Sequence, residues 1–297
     1  MSRMQQARRT VWCTSRLAFP QGSDTGWVIA FLIPYGAVFL LFAAYPIAYG
    51  LWMGRAPSLY AELIDDPRYG RALVNTLLFV ALGVNLKLFV ALLLSGFFMR
   101  RRWWIKALLI VYLLPWGLPA VPAYLSFHWM LIGEQGLLNA LLQALLGIEG
   151  PIWFNHRGLA LASDIVAYIW KWMPFWTVVF LAGRMAIPEE IEDAADIDGA
   201  SGTRRFVYIT FPLMANLYIV CTLISTIWTL GEYASVEFVS GGAPALSTDV
   251  LATLGIRYAL DYARPQLGVA AMLSALPVLI PAIIALLRKL HTAELQL

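Results

Sequence analysis

Charge is what this sequence has little of: 13% of its 297 residues are Asp, Glu, Lys or Arg and 60% are hydrophobic, against roughly 25% charged in an ordinary soluble domain. A water-facing globule of this composition would lack the polar surface to cover itself, so lipid must cover much of the chain. Cysteine is nearly absent. Cys13 lies in the amino-terminal tail and Cys221 inside an apolar run, at different depths, so neither a disulfide framework nor a thiolate metal site follows. His128, His156 and His291 stand singly, without partners at metal-ligand spacing, which points to structural or interfacial roles. There is no Gly-x-x-x-x-Gly-Lys-Ser/Thr phosphate cradle, so no ATP site is expected in this chain. The net charge is +3, with Lys and Arg gathered at the ends of apolar runs and not on one basic face, which gives no reason to expect nucleic acid.

What is abundant is apolar sequence in long runs. Six can be read, at Trp27–Met53, Ala72–Phe98, Trp104–Ile132, Leu159–Gly183, Tyr208–Gly231 and Gln266–Leu287, each long enough for a hydrocarbon core of about 30 Å. The first lies behind Arg3, Arg8, Arg9 and Arg16 and lacks a short core with a small-residue cleavage pattern, so it reads as a span and not a removed signal peptide. With the amino terminus inside, thirteen of the 21 basic residues fall on the cytoplasmic side, including Arg100, Arg101, Arg102, Lys106, Arg184, Arg204, Arg205, Arg288 and Lys289. The positive-inside rule therefore puts both termini in the cytoplasm. The expected organisation is a cytoplasmic tail at 1–26, one six-helix transmembrane domain at 27–290, and a short cytoplasmic tail at 291–297. Segments 54–71, 133–158 and 232–265 face outward, with a short helix at Gly136–Leu146, and 184–207 is the long cytoplasmic connection. The fold class is an all-α membrane protein.

The third run is irregular. Leu114–Tyr124 holds Pro115, Gly117, Pro119 and Pro122 in mid-span, and the backbone groups that proline frees are tolerated only beside other helices or a wet cavity. Both a packing kink and a cavity lining satisfy this.

The connection carries the densest pattern, Ile187-Pro-Glu-Glu-Ile-Glu-Asp-Ala-Ala-Asp-Ile-Asp-Gly199. Pro188 suits a first helical turn, acids crowd the positive end of the dipole, and Gly199 supplies a left-handed stop. Ile191, Ala194 and Ala195 share one face while Glu189, Glu190, Glu192, Asp193, Asp196 and Asp198 cover much of the rest. A second helical start at Ser201 or Thr203 leads into the fifth run. An anionic inner leaflet repels six acids, so such a helix projects toward a protein partner; the plain alternative is a solvated loop.

This stretch resembles a known motif. Asp193-Ala-Ala-x-x-Asp-Gly199-Ala200, followed by Phe206, Ile209, Thr210 and Pro212, is similar to the EAA loop of binding-protein-dependent ABC importer permeases of the carbohydrate type. Asp193 stands for the motif's Glu and Phe211 for its Leu. Further matches run in the same order from about residue 70 to 287. They are Asn75-Thr76, Gly136-x-x-Asn139-x-x-Leu142, Ile169-Trp-Lys-Trp-Met-Pro-Phe175, and Ser240-Gly-Gly-Ala-Pro244 with Ser247-Thr248. The family's Asp after an aromatic at the end of the fifth span is Ala234 after Tyr233 here.

The resemblance implies a type I importer permease bundle in a bacterial inner membrane, with a coupling helix that carries Glu192, Asp193, Ala194, Ala195, Asp198, Gly199 and Ala200. It also implies partners: cytoplasmic ABC ATPase subunits that hold ATP and Mg, a second permease subunit forming a heterodimer, and an extracytoplasmic solute-binding protein. The chain itself would hold no cofactor and no metal, and would be a transport subunit and not an enzyme. A sugar, sugar alcohol or related solute offers hydroxyls to bond and apolar faces to stack, so the candidate path is Trp116, Tyr124, Trp170, Lys171, Trp228, Glu232 and Tyr233, aromatic or polar residues in or near the spans. Trp172 and Trp176 lie beside them in the fourth run. Interfacial anchoring is the plain account of the aromatics. Lys87 and Lys171 sit near mid-span, where a lysine costs roughly 2.5–3.5 kcal/mol on insertion scales; a phosphate-bearing solute, snorkelling or a carbonyl partner would each account for them. Two rivals remain. An ion-coupled secondary carrier suits broken helices but leaves 187–199 unexplained, and an intramembrane hydrolase fails because Ser126 and His128 point apart on one helix.

Overall fold

The computed structural model describes residues 24–100, 102–133 and 135–294. The tail residues Arg3, Arg8, Arg9, Arg16 and Cys13, Arg101, and the end of the carboxyl-terminal tail lie outside the described residues. Those described are helical, with no strand among them. They fall into two compact units, divided between Trp52 and Met53.

The first unit contributes all but the last residue of one long helix, α1 (Trp27–Met53), with mean hydropathy 2.2 and no buried residue. It passes through a π-helical turn at Leu40–Ala44 without ending. Tyr45, Tyr49 and Trp52 stack along it with ring centroids 6.1 and 5.7 Å apart, as four- and three-residue spacings on a helix dictate.

The second unit holds α2 (Pro57–Asp65), α3 (Pro67–Phe98), α4 (Trp103–Gly117), α5 (Ala120–Leu131) and α6 (Leu137–Leu146). It continues through α7 (Arg157–Met185), α8 (Glu189–Ile197), α9 (Gly202–Leu230), α10 (Leu251–Ile256), α11 (Pro265–Leu273) and α12 (Leu276–Glu294). By length and composition α1, α3, α7 and α9 can each cross a membrane, and α4 with α5 makes a fifth span if that pair, bent by 96°, counts as one. The proline-rich stretch of the third run is thus a sharp break. The sixth run is interrupted between α11 and α12 at Ser274 and Ala275. Pro277, just inside α12, has no N–H to continue the ladder from α11.

The bundle closes around α3, α7 and α9. Val84, Leu88, Leu92, Trp176, Phe180, Met214 and the free thiol Cys221 form its buried centre. At Gly183 α7 and α9 approach so closely that a Cβ would lie 2.3 Å from Leu217 Cδ2.

At the opposite end of α7 from α8, polar side chains tie down the 240–250 loop. Asn75, fully buried on α3, donates to the carbonyls of Ser247 and Asp249 at 2.8 Å each and accepts from Arg157 Nη2 at 2.7 Å. Thr76 Oγ1 accepts the N–H of Leu251 at 2.8 Å. On the same loop Ser240 donates to the buried Asp164 at 2.8 Å, and Arg257 grips Asp249 and Glu237. Asn139, the centre of the Gly136-x-x-Asn139 match, donates to Gly133 and Pro151 carbonyls and accepts from Trp153 Nε1. His128 Nδ1 lies 2.7 Å from the Val239 carbonyl, and its ring stacks on Phe154.

Candidate functional site

The connection after α7 folds as a short helix held from both sides. On the α7 side Arg184 donates to Ser95 Oγ at 2.7 Å and to the Leu92 carbonyl at 3.1 Å, fixing the last turn of α7 against α3. Pro188 stands one residue outside α8 at its N-cap, not in its first turn. The helix ends as its glycine dictates. Gly199 has φ +67°, the Ala200 N–H bonds the Ala195 carbonyl at 2.9 Å, and the Gly199 N–H bonds that of Asp196 at 3.1 Å, which is the paired closure of a left-handed stop. The next helix starts at Gly202 with Ser201 as N-cap.

Arg205, on α9, reaches back across the turn to Glu192 at 2.9 Å and Asp196 at 2.8 Å. Of the expected apolar face only Ala195 is buried; Ile191 and Ala194 are open, and Ile197 is 87% exposed. Asp193, Asp198 and Gly199 are exposed too, and Ala200 is half-buried. Beside α8 a cavity of about 770 Å³ is lined by Arg100, Lys106 and Arg184 from the bundle and by Glu189, Asp193 and Asp196 from the helix. The result is a capped, acid-rich helix with part of its apolar surface uncovered.

The second cluster lies inside the bundle. Lys87 Nζ donates to the Tyr168 hydroxyl at 2.8 Å and lies 4.2 Å from that ring's centroid. Tyr168 and Thr229 hydroxyls meet at 2.6 Å. Three helices, α3, α7 and α9, are thereby joined through one buried polar chain. Lys171 Nζ donates to the carbonyls of Leu118 at 2.7 Å and Pro115 at 3.2 Å, so the carbonyl-partner account describes it. Both lysines are almost fully buried. Glu232 accepts the N–H of Ser235 at 2.8 Å.

An aromatic patch covers this chain. Phe175 sits 5.7 Å from Trp116 and 5.8 Å from Trp228, and Trp172 and Trp176 lie behind Trp228 at 6.0 and 5.6 Å. Trp116 and Trp228 are 46% and 47% exposed, so they present ring surface outward. Of the sequence candidates the structure brings Trp116 and Trp228 together, with Lys171 behind the bend that carries Trp116. Trp170 faces elsewhere, edge-on to Phe127 at 5.0 Å, and Tyr233 packs against Phe238. Tyr124 is buried among the helices. Phe175 and Arg205 were not singled out as site residues from sequence. Phe175 ends the Ile169–Phe175 match, but only tertiary structure shows Arg205 turned onto α8.

With this geometry in place, comparison with known proteins decides the family. The pattern of the binding-protein-dependent transport system inner membrane component matches residues 87–291. The chain belongs to that family. This inner membrane component is 36% identical over 196 residues to the sulfoquinovosyl glycerol transport system permease protein SmoG of Agrobacterium fabrum, covering 65% of this chain and 62% of the relative. It thus spans under two thirds of that relative's length. It is 26% identical to the trehalose/maltose transport system permease protein MalF of Thermococcus litoralis over 89% of this chain and 91% of that one. It is also 28% identical to the lactose transport system permease protein LacF of Rhizobium radiobacter over 93% and 96%. Among solved structures, a bacterial ABC transporter involved in the import of the acidic polysaccharide alginate superposes with TM-score 0.79 at 21% identity, covering 91% of this chain and 96% of that one. That likeness shows the fold of an importer permease.

Proposed function

We propose that this chain is the permease subunit of an ATP-driven importer for a sugar, sugar alcohol or related solute. It crosses a bacterial inner membrane six times with both termini in the cytoplasm. The broken pair α4 and α5 is the third span and α11 with α12 the sixth. The observation that carries the reading is α8, a capped helix wedged between two spans, with Ile191, Ala194 and Ile197 uncovered and carboxylates around them. A helix of this kind passes a docking motion to the bundle as a rigid body. The partner that moves it is a cytoplasmic ABC ATPase holding ATP and Mg, and Glu192, Asp193, Ala194, Ala195, Asp198, Gly199 and Ala200 form the contact. A second permease subunit completes the path in a heterodimer, and an extracytoplasmic solute-binding protein delivers the solute. The printed names of the relatives above support the solute class, since sulfoquinovosyl glycerol, trehalose, maltose and lactose are carbohydrates.

The solute surface is Trp116, Phe175 and Trp228. Apolar sugar faces stack on such rings, and two of the three present about half their area.

The deciding experiment is purification from native membranes followed by reconstitution. An ATPase and a solute-binding protein are expected to co-purify, and uptake of radiolabelled maltose, trehalose or lactose to require ATP. Uptake sustained by an ion gradient without an ATPase would establish the secondary-carrier reading instead. Trp228→Ala is expected to raise the solute concentration for half-maximal uptake while leaving assembly unchanged.

A further inference from the structure

An unbroken helix through the third span would bond the N–H of residue 119 to the carbonyl of 115, and the N–H of 122 to the carbonyl of 118. Both donors are absent, because residues 119 and 122 are Pro119 and Pro122. Around the break the sequence therefore strips partners from the carbonyls of Pro115 and Leu118, as Pro115 itself does from that of Val111 one turn earlier. The oxygens of Pro115 and Leu118 are the two that Lys171 Nζ reaches, at 3.2 and 2.7 Å. On either side of these two, the Leu114 carbonyl takes the N–H of Leu118, and that of Pro119 takes the N–H of Ala123. Lys171 comes from α7, more than fifty residues away, and is 3% exposed. One ammonium with three rotatable donors suits two carbonyls that do not lie in one plane.

We propose that Lys171 is a positioning residue: its ammonium stands in for the two N–H groups that Pro119 and Pro122 remove, and so holds α4 and α5 at their 96° bend. Trp116 follows one of the held carbonyls directly, so the pin also sets the ring that lies 5.7 Å from Phe175. This deepens the importer reading and rests on it for the solute surface, but the pin can be tested by itself. A lysine spent in this way is a structural cation, not a counter-ion for an acidic solute.

The test uses the full chain in its assembled transporter, with Cys13 and Cys221 replaced by Ala and spin labels at Ile110→Cys and Trp129→Cys, both exposed positions. Backbone separation of these sites is about 28 Å on a straight helix and about 20 Å around the observed bend. Lys171→Met should shift the interspin distances upward, broaden them and lower the melting temperature, while Lys171→Arg keeps the shorter distance. Adding Pro119→Ala and Pro122→Ala to Lys171→Met restores the backbone donors, so the melting temperature should recover and the distance should become narrow but long. Uptake of radiolabelled maltose, trehalose and lactose should fall about tenfold or more in Lys171→Met and stay low in the triple variant, which separates positioning from folding. An unchanged distance distribution in Lys171→Met would overturn the pin, as would a triple variant that returns to the short distance. If Lys171→Met does not insert, the triple variant decides. Distances that shift while uptake stays at the wild-type rate would leave the pin standing and remove Trp116 from the solute surface.

Discussion

Arg205 and Glu192 meet twice: Nη2 of the arginine donates to the carboxylate at 2.9 Å and to the same residue's backbone carbonyl at 3.0 Å. With Nη1 on Asp196 at 2.8 Å, one guanidinium joins the start of α9 to two successive turns of α8. Partly exposed ion pairs contribute only about 0.2–1 kcal/mol, so this grip orients α8 more than it stabilises the bundle. Arg205→Gln should therefore insert and melt almost as the parent does. Amide exchange over 189–200 should accelerate, and ATP hydrolysis should proceed with reduced uptake. Unchanged exchange in α8 would show that packing alone holds the helix.

Features set by neighbouring residues were legible in the sequence. The apolar runs, the short helix before Gly199 and the break at Pro115–Pro122 each follow from periodicity or from a residue with a narrow conformational range. Contacts between distant segments were not. Nothing local marks Arg157 as the partner of Asn75, 82 residues away, or Pro115 and Leu118 as partners of Lys171. Trp170 and Trp172 look equivalent in a list of aromatics, yet two helical steps turn them about 200° apart, one onto Phe127 and the other onto Trp228. The sixth run was apolar enough to be read as one span, but composition does not register the interruption ahead of Pro277.

Asn75 predicts a local and sizeable loss. Removing its amide in Asn75→Ala strands the Asp249 carbonyl, leaves that of Ser247 with Arg157 Nε alone at 3.3 Å and takes one acceptor from Arg157, a cost of about 2 kcal/mol from unsatisfied buried groups. The variant should melt earlier, and protease should cleave 240–250 first. Asn75→Asp should fail similarly, because a carboxylate cannot donate to either carbonyl. A parental melting temperature in both would show that the loop is held mainly by Arg257.

Asp66, which precedes α3, gives a pH dependence whose sign can be worked out. Hydrogen bonds from the Arg68 side chain, then from Tyr258 and the Arg68 N–H, outweigh burial and hold its carboxyl at about 2, below the ordinary 3.8. A depressed carboxyl contributes stability that is complete above the unfolded value and is lost as pH falls through the folded one. The difference in melting temperature between the parent and Asp66→Asn should hold constant from neutral pH down to about 5 and then shrink toward pH 2. A difference that is constant over the whole range would remove the carboxylate from the account of stability at this end of α3.

Gly183 and Gly199 need a glycine for opposite reasons, and the contrast tests whether α8 couples. A Cβ at Gly183 would sit 2.3 Å from Leu217 and 3.3 Å from Met214, inside the packed seam of α7 and α9. Gly183→Val should therefore push the ends of Leu217 and Met214 aside and strain the bundle itself, lowering its melting temperature. At Gly199 a Cβ meets nothing within 4 Å, so space is not the constraint. The constraint is φ +67°, where a β-branched residue costs about 1 kcal/mol or more. That is too little to unfold a bundle of this size, but it falls where the ATPase should dock. Gly199→Val and Gly199→Asp are expected to insert, melt as the parent does and pair with the second permease subunit, yet to lose ATPase binding or to bind it without driving uptake. Assembly, ATP hydrolysis and uptake measured on one reconstituted preparation separate these outcomes. Parental uptake by Gly199→Asp would make 184–207 an ordinary solvated connection, and the docking site would have to be sought elsewhere on the same end of the bundle.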